Sequence, residues 1–166
     1  MRIRSATAAD ASAILAIYGP IVEQTAISFE TEVPTAEAMA ERIERARADY
    51  AFVVAETDDR CLGYAYAGVL RLRAAYRASV ETSVYVAENA HRRGIAGSLY
   101  QALFGQLNAN GSHGFHTALA AITLPNDASV HFHEAFGFKA VGRFREVGYK
   151  FGRWHDVGWW QRHLSS

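Results

Sequence analysis

One cysteine in 166 residues, Cys61, leaves no partner for an internal disulfide, and that scarcity suits a reducing compartment. It sits beside a hairpin turn with nothing nearby to activate a thiolate, so its expected role is structural. Charge of one sign is missing as well: Lys+Arg and Asp+Glu stand at 17 each, for a formal net charge of +0. That balance argues against nucleic acid or an anionic membrane as partner, while leaving room for a local basic patch. No apolar run approaches the roughly 20 residues of a membrane span. The opening Met-Arg-Ile-Arg-Ser-Ala-Thr lacks the apolar segment of a signal peptide. Repeats, linkers and low-complexity tracts are absent. A metal site finds no support either. His131 and His133 stand two apart, which on a helix places them on different faces, and no cysteine or acidic cluster completes a ligand set.

What is present describes a globular chain. Hydrophobic residues make up 50%, charged ones 20% and aromatic ones 12%, and the length suits one domain with a substantial core, residues 1–166. The expectation is a soluble, cytoplasmic single domain.

Along the chain, residues 2–6 suit a short strand. Thr7 with Asp10 has the spacing of a capping box. The following helix carries Ile14, Ile17 and Ile21 at the spacing of a buried stripe, and Gly19-Pro20 should bend or end it early. Residues 22–33 read as a loop with two apolar members, Ile27 and Phe29; Phe29 either tucks into the core or walls a ligand pocket. Pro34-Thr35 opens a second helix with Met39, Ile43 and Ala46 on one face. Residues 50–56 and 62–70 are β-rich runs joined by Thr57-Asp58-Asp59-Arg60, a hairpin signal. Arg71, Arg73, Tyr76 and Arg77 crowd the next connection, which serves either as a solvated loop or as a clamp for a carboxylate.

The stretch from Val80 to Ser98 holds the chemistry. It begins as a strand, with Val80, Thr82, Val84 and Val86 on one side, Tyr85 on the other, and Glu81 set in an otherwise apolar and hydroxyl run. It then becomes a basic glycine loop opening a long helix that carries Ile95, Leu99, Leu103 and Leu107 on one face, closed by Asn110-Gly111. Strand, glycine loop and helix N-terminus together suit a phosphate-bearing ligand, since backbone N–H groups converge there and the helix dipole favours negative charge. His-Arg-Arg-Gly-Ile-Ala-Gly-Ser is not a nucleotide P-loop, because no lysine reaches the outer phosphates, and Gly-x-Gly-x-x-Gly is absent. Residues 115–123 form another strand, Asn126 or Asp127 caps a short helix ending at Gly137, and residues 138–164 alternate like strands. The order β-α-α-β-β-β-α-β-α-β-β gives an α/β (α+β) mixed sheet, with parallel neighbours in the second half and antiparallel ones at the hairpins.

The chain resembles the GCN5-related N-acetyltransferase superfamily along nearly its whole length. One motif is Gln/Arg-x-x-Gly-x-Gly/Ala, matched by His91-Arg92-Arg93-Gly94-Ile95-Ala96, with His91 departing from the usual first residue. The other is Asn-x-x-Ala/Ser-x-x-x-Tyr-x-x-x-Gly-Phe, matched by Asn126, Ser129, His133, Gly137 and Phe138, with His133 in place of tyrosine. Within the superfamily it is similar to the phosphinothricin and methionine sulfone/sulfoximine N-acetyltransferases, in Glu-Thr-Ser-Val-Tyr-Val (81–86), Ser98-Leu99-Tyr100, Leu-Pro-Asn-Asp (124–127), His133-Glu134-Ala135 and Gly152-Arg153-Trp154-His155-Asp156-Val157-Gly158.

That resemblance implies the fold of the superfamily: a twisted, mostly antiparallel sheet with a splayed parallel pair at the cofactor site and helices on both faces. It implies acetylation of the α-amino group of a small amino acid or analogue from acetyl-CoA, without a metal. Val84, Tyr85 and Val86 would face the pantetheine arm. Arg92, Arg93, Gly94, Ile95, Ala96, Gly97 and Ser98 would cradle the pyrophosphate, with Asn126 and Ser129 alongside. An α-amine has a pKa of roughly 7.7–8.0, so at neutral pH a base must remove its proton. Glu81 is the implied base and His133 the implied catalytic partner. Phe29, Arg71, Arg73, Tyr76, Tyr100 and Thr123 are the implied substrate contacts, Thr123 standing where these relatives carry glycine. Homodimerisation through the C-terminal half, aided by an exposed Trp159 or Trp160, is a further expectation. The competing readings are an acetyltransferase of protein N-termini or ribosomal proteins, and a non-catalytic acetyl-CoA-binding module.

Overall fold

The computed structural model describes residues 1–58, 60–109 and 114–164. Asp59 of the hairpin turn and Asn110-Gly111, expected to close the long helix, lie outside them. The strands are β1 (Arg2–Ser5), β2 (Ala51–Thr57), β3 (Arg60–Val69), β4 (Ser79–Val86), β5 (Thr117–Leu124), β6 (Lys139–Lys150) and β7 (Arg153–His163), and the helices are α1 (Ala11–Gln24), α2 (Ala36–Asp49), α3 (Ile95–Ala109) and α4 (Asp127–Ala135). This is the element order expected from the sequence. The seven strands form one sheet in the order β1-β2-β3-β4-β5-β7-β6. β4 and β5 run parallel and every other neighbouring pair is antiparallel.

Strand alternation divides the core in two. On β2, Ala51, Val53 and Ala55 join one buried cluster with Ile95, Leu99, Leu103 and Leu107 of α3. Phe52 and Val54 turn the other way, toward Ile14, Tyr18 and Val22 of α1 and Met39 and Ile43 of α2. Period-2 residues therefore feed both faces of a sheet that is covered by helices on each.

Local chemistry accounts for the helix starts. Asp10 Oδ2 accepts the Thr7 N–H at 2.8 Å, and Thr35 Oγ1 accepts the Ala38 N–H at 3.1 Å; both satisfy amides that a first turn leaves unpaired. Two details differ from expectation. α1 continues through Gly19-Pro20 to Gln24. Pro20 and Ala16 are both exposed, so the carbonyl that proline leaves without an N–H faces water and its loss is tolerated. The buried stripe of α1 is Ala11, Ile14, Tyr18 and Val22, leaving Ile17 and Ile21 only partly covered.

The tryptophans also differ from expectation. Trp160 is buried and donates Nε1–H to Glu134 at 3.1 Å. Trp159 is half-buried, packing edge-on against Phe144. Trp160 joins the core cluster that contains Leu99 and Leu103 of α3, and Trp159 turns to the opposite face of the sheet, against Phe144. Trp154 at the hairpin end is the exposed one, at 59%.

Candidate active site

β4 and β5 pair only at Ser79–Thr117, Val80–Ala118 and Glu81–Leu119. Beyond that point β4 stays with β3 and β5 with β7, so the two strands diverge and a fork opens. Thr82 Oγ1 donates to the Leu119 carbonyl at 3.2 Å, at the crotch of the fork. Ala87 N–H bonds to Leu62 O at 2.9 Å. In an antiparallel ladder the hydrogen-bonding direction alternates, so Val84 and Val86 turn their backbone groups away from β3 and into the gap. Val86 O is already taken there: His91 Nε2 donates to it at 2.9 Å. His91, the departure from the usual glycine-loop motif, thus ties the loop to the end of β4. The opening forms a cleft of about 60 Å³ whose lining includes Ile27, Thr82, Ser83, Val84, Tyr85, Thr123, Asn126, Ser129 and His133.

The glycine loop stands next to it. Arg92 and Gly94 take positive φ values of 62° and 73°, which turn the chain sharply into α3. A Cβ added at Gly94 or at Gly97 would meet nothing within 4 Å, so the loop presents an open surface. Ser98 N–H already bonds to Gly94 O at 3.1 Å. Ahead of it, the amides of Ile95, Ala96 and Gly97 are first-turn donors without helical acceptors. With the exposed Arg92 and Arg93, they suit a pyrophosphate.

Glu81 is the last residue of the parallel pairing, flanked by Gly68 on β3 and Leu119 on β5. It shares a sheet face with Ser83 and Tyr85, opposite to Val80 and Thr82. Partial burial raises its carboxyl pKa above the ordinary carboxylate value, with Arg71 pulling weakly the other way. Arg71 and Tyr76 line a groove of about 260 Å³ with Leu119, Val141, Phe144 and Trp159. Arg73 is exposed and outside that lining.

His133 borders the cleft, but both ring nitrogens are engaged. Nδ1 lies 2.8 Å from Ser129 O; a carbonyl only accepts, so Nδ1 carries the proton. Nε2 then accepts from the Tyr100 hydroxyl at 3.0 Å. Burial lowers the His133 pKa, in keeping with this neutral form. Tyr100 does not front a pocket as expected. It is wholly buried, between His133 and Thr82, whose Oγ1 lies 3.3 Å from its hydroxyl. An inward-facing residue in the second turn of α3 has nowhere to point except the core.

Phe29 also stands elsewhere than expected. At 38% exposure it covers Gly148 of β6, where a Cβ would fall 2.1 Å from its ring, and leans on His155 at 6.1 Å. Ile27, its loop neighbour, reaches the cleft instead. Lys150 anchors that loop. It is buried, with its pKa lowered by desolvation, and donates to Val22 O at 2.7 Å and Ser28 O at 2.8 Å. No sequence signal marks Lys150, because a lysine in an edge-strand pattern reads as solvated.

The long Trp-His-Asp-Val-Gly segment is architectural. His155 Nε2 donates to Lys150 O at 2.9 Å and closes the β6–β7 hairpin. Asp156 accepts from Arg143 Nε at 2.8 Å and from the Glu146 N–H at 2.7 Å. A Cβ on Gly158 would meet the Trp160 ring at 2.5 Å.

Among the described residues, no group of three or more His, Cys, Asp or Glu could hold a metal ion, and no helix is long and apolar enough to cross a membrane.

Known proteins match this arrangement. Residues 3–159 match the family model described as an acetyltransferase (GNAT) domain. The phosphinothricin N-acetyltransferase of Streptomyces viridochromogenes is 42% identical over 98% of this chain and 87% of its own. The L-methionine sulfoximine/L-methionine sulfone acetyltransferase of Pseudomonas aeruginosa is 40% identical over 98% of this chain and 94% of its own. A crystal structure of the Sinorhizobium meliloti phosphinothricin acetyltransferase in complex with AcCoA superposes with a TM-score of 0.91, at 35% identity, over 99% of this chain and 88% of that one. Sequence and overall fold agree, and the chain belongs to the GNAT family as an N-acetyltransferase that uses acetyl-CoA.

Proposed function

We propose that this enzyme acetylates the α-amino group of a small amino acid or analogue, of the phosphinothricin or methionine sulfone/sulfoximine type, with Glu81 as general base. One observation carries the reading: Glu81 is the last paired residue at the crotch of the β4–β5 fork. A carboxylate there lies between the gap that admits an acyl donor and the groove that carries Arg71. Arg71 meets the substrate carboxylate and orients the amine toward Glu81. The raised pKa of Glu81 narrows the gap to that of the ammonium group, which makes proton removal less uphill. The freed amine attacks the thioester carbonyl carbon, and the C–S bond breaks to release CoA thiolate. Val84, turned into the gap, offers its backbone N–H to the developing oxyanion.

His133 acts here as a positioning residue. Its nitrogens are held by Ser129 and Tyr100, and with Tyr100 and Thr82 it sets the floor of the cleft. Thr123, which lines that cleft, tunes which acceptor fits. The exposed Val141, Phe144, Val147, Tyr149, Phe151 and Trp154 of the β6–β7 hairpin support pairing of two copies through the C-terminal half.

Incubation with acetyl-CoA and a panel of amines, following free CoA thiol, tests the function. Release is expected with phosphinothricin, methionine sulfone or methionine sulfoximine, and in preference to peptides with free N-termini. No release above background with any amino acid or analogue refutes it. Glu81→Gln should lower kcat by about 10²–10⁴ at neutral pH and leave acetyl-CoA affinity unchanged. Unaltered turnover in that variant reassigns the base.

A further inference from the structure

On the side of Glu81 away from the Arg71 groove lies a cavity of about 370 Å³ between α1, α2 and strands β2 and β3. It is a recess open at its rim, where Arg42, Arg45 and Asp49 of α2 and the exposed Leu72 stand. Its sheet side is aromatic, with nearly parallel rings. Phe52 stacks with Tyr66 at 5.2 Å and 16° and with Tyr64 at 5.7 Å and 14°. Rings this close pack on one another with no gap between them, and together they form an aromatic wall against which another apolar ring can pack.

One residue of the cavity lining stands beside the catalytic strand. Gly68 lines the cavity and lies directly opposite Glu81 in the β3–β4 register, a Cα separation of about 5.5 Å for a hydrogen-bonded pair. By strand alternation any side chain at 68 would project onto the face shared by Glu81, Tyr64 and Tyr66. A Cβ added there meets nothing within 4 Å, so the space over residue 68, next to Glu81 in the register, is open. Tyr66, two residues along β3 from Gly68, lines the cavity and is hydrogen-bonded to Ser83. The arginine loop divides the two spaces: Arg71 lines the groove, whereas its neighbour Leu72 lines the cavity and is 94% exposed. An occupant would cover that leucine.

We propose that the cavity is a side-chain pocket for the acceptor, and that besides acceptors of the phosphinothricin and methionine type the enzyme acetylates L-α-amino acids with an aromatic side chain, phenylalanine or tryptophan in type, the ring passing over Gly68 to pack against the wall of Phe52, Tyr64 and Tyr66. This rests on the α-amine reading of Glu81 above and extends its range of acceptors. With the amine at Glu81 and the carboxylate at Arg71, the Cα substituent has two exits, and the path over Gly68 leads to the larger, more aromatic space. The reaction is unchanged: an N–C bond forms, the thioester C–S bond breaks, and the amine proton leaves through Glu81.

The test compares kcat/KM for L-phenylalanine and L-alanine in the wild type and in Gly68→Val, which fills the open space beside Glu81. The wild type should prefer phenylalanine by at least tenfold, and the ratio should fall by about 10-fold or more in the variant, the scale for misfitting apolar groups. Ala46→Leu, which fills the cavity from the α2 side, should lower the same ratio and serves if Gly68→Val does not fold. An unchanged ratio in the folded variants, or a wild type without preference for phenylalanine, overturns the proposal. If no amine at all is acetylated, the α-amine reading fails instead. Calorimetric titration of L-phenylalanine and L-alanine into wild type and variants without acetyl-CoA then decides the pocket by itself. Tighter phenylalanine binding that the variants lose supports it, and equal binding of both amino acids overturns it.

Discussion

Replacing Tyr100 by phenylalanine isolates one hydroxyl in an otherwise untouched site. The ring is packed among Phe104 at 5.2 Å, Phe132 at 5.3 Å and Phe136 at 5.4 Å, so van der Waals contact survives the change. What is lost is the donor to His133 Nε2 at 3.0 Å, together with the contact to Thr82. His133 is buried, and Nδ1 is already committed to Ser129 O. Leaving a buried acceptor without its donor costs about 1–3 kcal/mol. For a chain of this length each kcal/mol moves the melting temperature by about 2–4 °C, so a loss near 2 kcal/mol lowers Tm by about 4–8 °C in a calorimetric scan at pH 7. A second readout separates positioning from bulk stability. The Tyr100 hydroxyl favours neutral His133, so its removal should raise the His133 pKa in an NMR titration and shift the acid limb of the kcat profile with it. A Tm within 1 °C of wild type together with an unmoved His133 titration would refute the inward hydrogen-bonding scheme.

His133 also sets a pH dependence. Its folded pKa lies below the ordinary value of 6.5, so the unfolded chain binds its proton first; stability is complete above that pH and declines as pH falls through the folded pKa. Urea titrations from pH 7 downward should show that decline, reduced in Tyr100→Phe. Glu81 has the opposite sign. Its folded pKa is raised above 4.5, so its ionisation destabilises the fold at neutral pH, and Glu81→Gln should melt higher than wild type at pH 7 while the difference vanishes near pH 4; a lower Tm at pH 7 contradicts the stated burial. Lys150→Met strips the donor from Val22 O and Ser28 O, costing about 1–3 kcal/mol. It should also raise the acceptor KM through the loosened loop at Ile27; a KM that stays put detaches that loop from the site.

Some of this protein was legible in the residues alone because the relevant physics is local. Helix periodicity at Ile95, Leu99, Leu103 and Leu107, caps at Thr35 and Asn126, and hairpin turns depend on neighbours a few positions away, so element order and the glycine loop could be read directly. Glu81 stood out for a similar reason, as a carboxylate in an apolar strand. Longer-range packing decided the rest. Pro20 is harmless because its missing hydrogen bond faces water. Lys150 is buried because α1 ends above it, and Tyr100 is buried because α3 turns it toward His133. The Trp-His-Asp-Val-Gly run, which marks the family resemblance so clearly, turns out to brace a hairpin. Gly68 shows the limit most plainly. In sequence it is a glycine in a strand, and only the register that places it beside Glu81, with open space above, makes it the threshold of a cavity. Periodicity and capping are written into short stretches of chain, whereas a side chain's burial, partners and access are set by whatever distant segment folds against it.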